Sequence, residues 1–412
     1  MAARAGADVA ELVREHRIVV CAGSGGVGKT TTAATIALWG AIQGRNAIVL
    51  TIDPARRLAD SLGVGPIGNT PVAVPESVMG ALGREVRGTL SAMMLDQKGS
   101  WDELVERHVP SPEARQRIFD NRFYQQLSQS FAGSQEYMAV EQLGELDGSG
   151  RYDLIVVDTP PTQHALDFLE APERLLAFLD RKIVKWFVKP SFSAGWSTLR
   201  TMNRTVGFLL HKIEDATGVS ALADVTDFFS AMSGLFEDFE PRVQRVTQLL
   251  RHPTTAFVLV AGPDEQVLDQ ADYLAAQMST RGMPLKGVVM NRVHPHLEMG
   301  DGDGTVEAIT EILAARFAAL DAGAPAAEAP RRVRRAPGTP ELRNDDSLAA
   351  RLARNFVAYQ ARARGDVLRM EMFRQGLPRS VPLVLVPNLA SDIHDLAGLL
   401  LLHPYLFASR TT

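Results

Sequence analysis

The chain has 412 residues, of which 46% are hydrophobic and 22% charged, and its net charge is −5 at pH 7. This composition is typical of a globular protein with one large domain carrying insertions, or with two domains, and its acidic balance excludes a strongly basic nucleic-acid-binding or membrane-surface protein. No apolar run approaches the ~20 residues that span a bilayer, and a single cysteine, Cys21, excludes an internal disulfide and favours a cytoplasmic protein.

Short apolar runs separated by helix-length segments predict the core of the fold. Each run has the length and composition of a strand that is buried on both faces. Their alternation with helices predicts an α/β fold, a doubly wound and mostly parallel sheet with helices on both sides. The predicted strands are Ile18–Ala22, Ala47–Thr51, Leu154–Val157, Ala256–Val260, Gly287–Met290 and Leu383–Val386, with Leu90–Leu95 as a weaker candidate.

Two long helical insertions interrupt these strands, from about Trp101 to Leu146 and from about Pro172 to Arg251. In the second, apolar residues such as Leu175 and Leu179 recur at helical spacing. These apolar stripes either pack on one another, which we favour, or line a groove for a hydrophobic helix of another protein. The segment from Asp321 to Glu341 is rich in Ala, Pro and Arg and predicts a solvated loop or linker.

A glycine-rich loop between the first strand and a helix-forming run carries the most specific motif, G-x-x-x-x-G-K-[ST]. Glycines let successive backbone N–H groups point at phosphate oxygens, and the N-terminus of the next helix adds positive potential. A plain glycine-rich turn is the alternative, but strand, loop and helix all agree with binding of a nucleoside triphosphate. Lys29 is expected to bind the β- and γ-phosphates, and the Thr30 hydroxyl to bind Mg²⁺. The predicted nucleotide-binding residues of the loop are Gly23, Ser24, Gly25, Gly26, Val27, Gly28, Lys29, Thr30 and Thr31.

A second acidic motif begins where the strand Leu154–Val157 ends at Asp158. A carboxylate in this place commonly holds Mg²⁺, often through water, whereas an isolated Asp is as commonly a helix cap. Asp158 and Thr30 are therefore the predicted metal-binding residues. The segment that follows has the character of a γ-phosphate sensor, and its predicted switch residues are Thr159, Pro160, Thr162 and His164.

Asp53 lies just beyond the carboxyl end of the strand Ala47–Thr51, where open α/β sheets place ligand-binding groups. A carboxylate in this place can orient or deprotonate an attacking water, so Asp53 is the candidate catalytic residue. An ordinary Asp-Pro turn is supported about equally by this stretch alone.

Several stretches together resemble the arsenical-pump ATPase family, which includes the eukaryotic chaperone ATPase that delivers tail-anchored membrane proteins. They are GGVGKTT in the loop, the DPA segment that ends in LADSLG, DTPPTQHALDFL, GSQEYMAVEQL from Gly133 to Leu143, and LKGVVMNRVHP from Leu285 to Pro295. Their order and spacing cover most of the chain, from about Ile18 to Leu402. The series is most similar to the actinobacterial members of the tail-anchor-chaperone branch.

The resemblance implies a Mg²⁺-dependent ATPase that works as a nucleotide-switched dimer, with itself or with a paralogous subunit. It also implies a water-activating role for Asp53, a Mg²⁺-linked switch role for Asp158 and contact of Asn291 with adenine, whose N6/N7 edge suits an amide. A hydrophobic client helix or membrane protein is the expected partner, nucleic acid is not, and contact with the inner face of the membrane would be transient. The runs, stripes and linker described above predict a division into an ATPase core, made of 1–100, 148–171, 252–320 and 345–412, helical insertions at 101–147 and 172–251, and a linker at 321–344.

The chain departs from the family pattern at several positions, and these differences reduce the range of ligands that it is expected to bind. Arsenite capture uses clustered soft thiolates, and Cys21 alone cannot supply them, so an anion- or arsenite-efflux subunit is a distant third hypothesis. The C-x-x-C pair that binds zinc in the eukaryotic chaperone is absent, so no zinc is expected. In the second switch, Pro160 and Gln163 replace the Ala and Gly usual in the family, and the loss of a glycine removes backbone freedom at a presumed hinge.

Ser24 stands where the resemblance implies a second lysine, one that reaches the nucleotide of the partner subunit. A serine offers neither charge nor reach, and Arg56 or Arg57 either replaces the lysine or is a solvated surface group. The alternative function is therefore a regulatory subunit that binds nucleotide with little turnover and forms a heterodimer with a lysine-bearing paralogue.

Overall fold

The computed structural model describes residues 9–53, 57–109, 111–130, 134–160, 228, 239–297, 304–321 and 347–407. Within these residues, one sheet contains eight strands, β1 Ile18–Gly23, β2 Asn46–Thr51, β3 Val72–Ala73, β4 Thr89–Met94, β5 Leu154–Asp158, β6 Thr255–Ala261, β7 Leu285–Val293 and β8 Leu383–Pro387. Their order in the sheet is β3-β4-β2-β5-β1-β6-β7-β8, and every neighbouring pair is parallel except β3 and β4.

Helices follow most of the strands, and several begin at a side-chain cap. The side chain of Asp96 accepts a hydrogen bond from the backbone N–H of Gly99 at the start of the helix Gln97–His108. Ser347 does the same for Ala350 at the start of the helix Leu348–Gly376. In the described residues the helices are α1 Val9–Glu15, α2 Lys29–Ile42, α3 Arg57–Leu62, α4 Glu76–Gly80, α5 Gln97–His108, α6 Pro112–Asp120, α7 Arg122–Ser130, α8 Ser134–Gly148, α9 Phe239–Arg251, α10 Glu265–Thr280, α11 Val306–Asp321, α12 Leu348–Gly376, α13 Leu396–Leu400 and α14 His403–Leu406.

The sheet is buried on both faces, because alternate residues of its central strands enter two separate cores. Val20 and Ile48 belong to one core, with Trp101 of α5, Tyr137 of α8 and Phe373 of α12. The neighbouring residues of the same strands point to the other face, and that core includes side chains of α1, α2, α3, α13 and α14. Helices on both faces explain why the strands are continuous apolar runs rather than alternating ones.

The predicted fold class is confirmed, and all seven candidate strands are present, the weaker one as β4. The edge strand β3 was not predicted, since two residues are too few to stand out as an apolar run. Four helices, α5 to α8, occupy the first predicted insertion. Most of the second insertion, most of the 321–341 segment, Gln163 and the switch residues Thr162 and His164 lie outside the described residues.

Among the helices of the described ranges, none combines the length and the hydrophobicity of a membrane-spanning segment. The division of the chain into core and insertions remains a prediction.

The strand order brings the predicted site residues to one edge of the sheet. The strand β1 lies between β5 and β6, and the chain proceeds from β1 to β2 on one side and later to β6 on the other, which is the arrangement of a topological switch point. The carboxyl ends of parallel strands meet at the same edge. The loop after β1, Asp53 after β2 and Asp158 at the end of β5 are therefore neighbours there.

Candidate functional site

The loop between β1 and α2 folds around its own lysine. Gly26 and Gly28 have φ angles of 76° and 96°, the left-handed region that favours glycine. The ammonium of Lys29 donates a hydrogen bond of 2.8 Å to the backbone carbonyl of Ser24, and both residues are buried. Burial lowers the pKa of Lys29, and the carboxylates of Asp158 and Asp53 raise it. The loop thus encloses one cation, which is bonded to the loop's own backbone.

Asp158 is fully buried and receives hydrogen bonds from two hydroxyl groups. Its Oδ2 atom accepts from Thr30 Oγ1 at 2.7 Å and from Thr51 Oγ1 at 2.8 Å. Burial raises the pKa of Asp158 to about 6, against the opposing effect of these hydrogen bonds and of the Lys29 charge. Thr51, the last residue of β2, was not among the predicted site residues, although it is the register partner of Asp158.

The other carboxylate oxygen of Asp158, Oδ1, is buried and has no hydrogen-bond partner in the described part of the chain. An unsatisfied buried acceptor costs about 1–3 kcal/mol, and more when it is charged, so such an atom calls for an explanation. Carboxylate and hydroxyl oxygens are the ligands that Mg²⁺ prefers. Asp158 together with Thr30 therefore fits a magnesium ion beside the loop.

The segment after β5 is tied to β1. Both the backbone N–H and the hydroxyl of Thr159 donate to the carbonyl of Cys21, at 3.2 Å and 2.9 Å. The thiol of Cys21 is fully buried, and burial together with the charge of Asp158 raises its pKa. The cysteine is therefore held as a neutral thiol. Pro160 follows directly and is the last described residue of the predicted switch.

Asp53 is near enough to Lys29 and Asp158 for its charge to affect the pKa of each. Its charge raises the pKa of Lys29 and that of Asp158. The preceding residue, Ile52, is held on both sides, since its N–H donates to the carbonyl of Asp158 at 3.1 Å and its carbonyl accepts from Gln135 Nε2 at 2.6 Å. Gln135 was also not predicted as a site residue, although it lies in the family-like stretch GSQEYMAVEQL, which α8 contains almost whole.

Asn291 of β7 supports the loop from the far side of β1. Its Nδ2 atom donates to the carbonyl of Val27 at 2.8 Å, and its Oδ1 atom accepts from the N–H of Arg292 at 2.9 Å. A Cβ atom added to Gly28 would lie 2.4 Å from the same Nδ2 atom. The structure thus brings Asn291 to the loop, and its contact with adenine remains a prediction. The predicted substitutes for the missing lysine, Arg56 and the side chain of Arg57, lie outside the described residues.

Comparison with known proteins identifies similar chains. Residues 16–312 match a family described as Anion-transporting ATPase. An ATPase GET3 of Malassezia globosa is 25% identical over 278 residues, which cover 67% of this chain and 72% of that protein. The putative arsenical pump-driving ATPase 1 of Aquifex aeolicus is 25% identical over 288 residues, 68% of this chain and 64% of that protein. The ATPase ASNA1 homolog of Cryptosporidium parvum is 26% identical over 288 residues, which cover 70% of this chain and 68% of that protein.

A methyl group at Gly28 is expected to disrupt the loop without unfolding the chain. In Gly28→Ala the new Cβ atom meets the side chain of Asn291, so the affinity for ATP, measured by equilibrium calorimetry, should fall by roughly tenfold or more. Gly282→Ala is the matched control, because Gly282 also has a positive φ angle, 68°, but nothing lies within 4 Å of an added Cβ. An equal loss of affinity in both variants would contradict the contact.

Proposed function

The chain belongs to the anion-transporting ATPase family and is an ATPase, and we propose that it is a Mg²⁺-dependent one that acts as a nucleotide-switched dimer to handle a hydrophobic or membrane-protein client. One observation carries the nucleotide and metal part of this proposal. The carboxylate of Asp158 is completely buried between two threonine hydroxyls, retains an unpartnered oxygen and lies beside the enclosed ammonium of Lys29.

The residues of the site divide the work of ATP hydrolysis among them. Lys29 exchanges the carbonyl of Ser24 for the β- and γ-phosphates, and the loop N–H groups receive the remaining phosphate oxygens. Thr30 and Asp158 would hold Mg²⁺, which when bound neutralises charge on the phosphates. Asp53 orients the attacking water and accepts its proton, a role that fits a carboxylate close to both Lys29 and Asp158.

The single cysteine of the chain argues against a metal ion or an arsenical as the bound client. Soft metal ions and arsenicals are bound by clustered thiolates, whereas Cys21 is the only cysteine of the chain, is completely buried and has a raised pKa. Of the activities suggested by the names of the relatives, capture of an arsenical therefore has no support from the residues present. We accordingly place this chain with the tail-anchor-chaperone type, with a location in the cytoplasm.

Ser24 favours the second candidate function, a low-turnover subunit of a heterodimer. Ser24 is buried, and its backbone carbonyl accepts a hydrogen bond from Lys29 of the same chain. Neither feature supplies a cation to the site of a partner. A subunit with this loop would bind its own nucleotide, would turn over slowly by itself, and would depend on a lysine-bearing paralogue for the missing cation.

Two substitutions are expected to separate nucleotide binding from hydrolysis. Lys29→Ala removes the one positive charge of the loop and should abolish ATP binding. Asp53→Asn keeps the shape but removes the base, so binding should persist while hydrolysis falls by ~10²–10⁴. Calorimetry and a phosphate-release assay measure the two effects, with Asp60→Asn, an exposed carboxylate of α3, as the control. Unchanged ATP affinity in Lys29→Ala would contradict the loop assignment, and parallel loss of affinity and rate in Asp53→Asn would contradict its role as base.

The turnover of the isolated wild-type chain is expected to be slow because of Ser24. A cation supplied by a partner to the transferring phosphoryl group is worth ~10³–10⁵ in rate, whereas a hydroxyl hydrogen bond contributes about 0.5–1.5 kcal/mol. Ser24→Lys, or addition of a lysine-bearing paralogue, should therefore raise phosphate release strongly. Ser24→Met has similar length without the charge and should not.

Strong activity of the isolated wild-type chain that is unaffected by Arg56→Ala and Arg57→Ala would contradict this dependence. Equal activation by Ser24→Lys and Ser24→Met would assign the effect to side-chain size rather than to charge.

A further inference from the structure

The segment that follows β7 connects the loop to a distant helix. At one end Asn291 donates its amide hydrogen to the carbonyl of Val27 in the loop. The next residue, Arg292, has a φ of 59°, in the left-handed region that non-glycine residues rarely adopt. At the other end, residues 294–297 contact α12, which lies beyond the 16–312 range that matches the family. Contacts with α12 therefore help to offset the strain beside Asn291.

Asp366 of α12 makes the principal contact with this segment. It is 2% exposed, and its Oδ2 atom accepts a hydrogen bond from the backbone N–H of His294 at 3.1 Å and lies 2.6 Å from Nδ1 of the same residue. An ionised carboxylate only accepts hydrogen bonds, so Nδ1 carries the proton. The Oδ1 atom accepts from Arg369 at 2.7 Å, and Arg369 also donates to the carbonyl of Pro263 after β6. Every polar atom of this buried cluster that faces Asp366 is satisfied.

A second polar residue of α12 holds the segment further along. Gln360 is buried, and its Oε1 atom accepts from the backbone N–H of Leu297 at 2.9 Å, while its Nε2 atom donates to the carbonyl of Pro295 at 3.4 Å. The ring of Tyr359 meets the ring of His294 edge-on, with 5.2 Å between centroids. The helix thus fixes the backbone of the segment at both 294 and 297.

From these contacts we infer that Asp366 is a positioning residue of the nucleotide site, acting through His294 and the segment on Asn291 and so on the loop. The inference rests on the proposed function, because it takes the loop to be the ATP site. Burying a carboxylate is unfavourable unless it is paired. Both oxygens of Asp366 accept hydrogen bonds, one from His294 in the segment and the other from Arg369 beside it. Asn291 lies only three residues from the N–H that Asp366 holds, so the segment can transmit a displacement directly.

The test is a double-mutant cycle on the full chain, read as the dissociation constant for ATP. Asp366→Asn leaves one acceptor oxygen for two sets of donors, so one contact is lost and the dissociation constant should rise roughly threefold to tenfold. The KM for ATP should rise by a larger factor than kcat falls. In an Asn291→Ala background the same substitution should add almost nothing, because the residue through which it acts is already absent.

If Asp366 has only a structural role, the effects of substituting Asp366 and Asn291 will be independent of each other. If Asp366→Asn weakens ATP binding by the same factor with and without Asn291, the inference is wrong. Met370→Ala is the matched control, since Met370 is buried on the same helix and makes none of these hydrogen bonds. It should lower the unfolding temperature without changing the dissociation constant. A similar change in Met370→Ala would equally overturn the inference.

A second variant covers the case in which Asp366→Asn does not fold. His294→Phe keeps a ring against Tyr359 and removes only the side-chain contact with Asp366, and it should show the same dependence on Asn291. Failure of the wild-type chain to bind ATP would contradict the proposed function. Normal ATP binding by the wild type together with an unchanged dissociation constant in His294→Phe would overturn the positioning role alone.

Discussion

The buried carboxylate of Asp158 is the constraint on which the arrangement of the site depends. Removing a charge from water costs several kcal/mol after relaxation. For Asp158 this cost is partly offset by hydrogen bonds from hydroxyls of two different elements, Thr30 at the start of α2 and Thr51 at the end of β2. Both contacts require β5 to lie between β1 and β2, as the sheet order provides. The oxygen that remains unpartnered destabilises the ligand-free protein, and it is the atom that we propose a metal ion satisfies.

The loop itself is held from two directions. On one side Lys29 bonds back to Ser24, and on the other Asn291 bonds to Val27, so the glycines lie between an internal cation and an amide from a strand two places away in the sheet. Glycine at position 28 is required for two separate reasons, its φ angle and the proximity of Asn291. A loop braced in this way presents its N–H groups with little freedom left to lose when a phosphate binds.

The sequence predicted the parts of this site that are local and left out those that depend on pairing across the sheet. Apolar runs located seven strands, and the loop motif lies within eight consecutive residues. The roles of Thr51, Gln135 and Asp366 come from contacts with residues between 72 and 107 positions away, which no local pattern contains. Asn291 was reached only through family resemblance, and its contact with Val27 spans 264 positions. The actinobacterial branch, the dimer and the client remain predictions.

We propose that the unpartnered oxygen of Asp158 binds the magnesium ion that accompanies ATP. The most direct measurement compares the ATP affinity of the wild type and of Asp158→Asn, each with Mg²⁺ and with a chelator. We expect Mg²⁺ to strengthen ATP binding by the wild type and this gain to be largely lost in Asp158→Asn. The ligand-free variant should be no less stable than the wild type. An equal gain from Mg²⁺ in both proteins would contradict the claim.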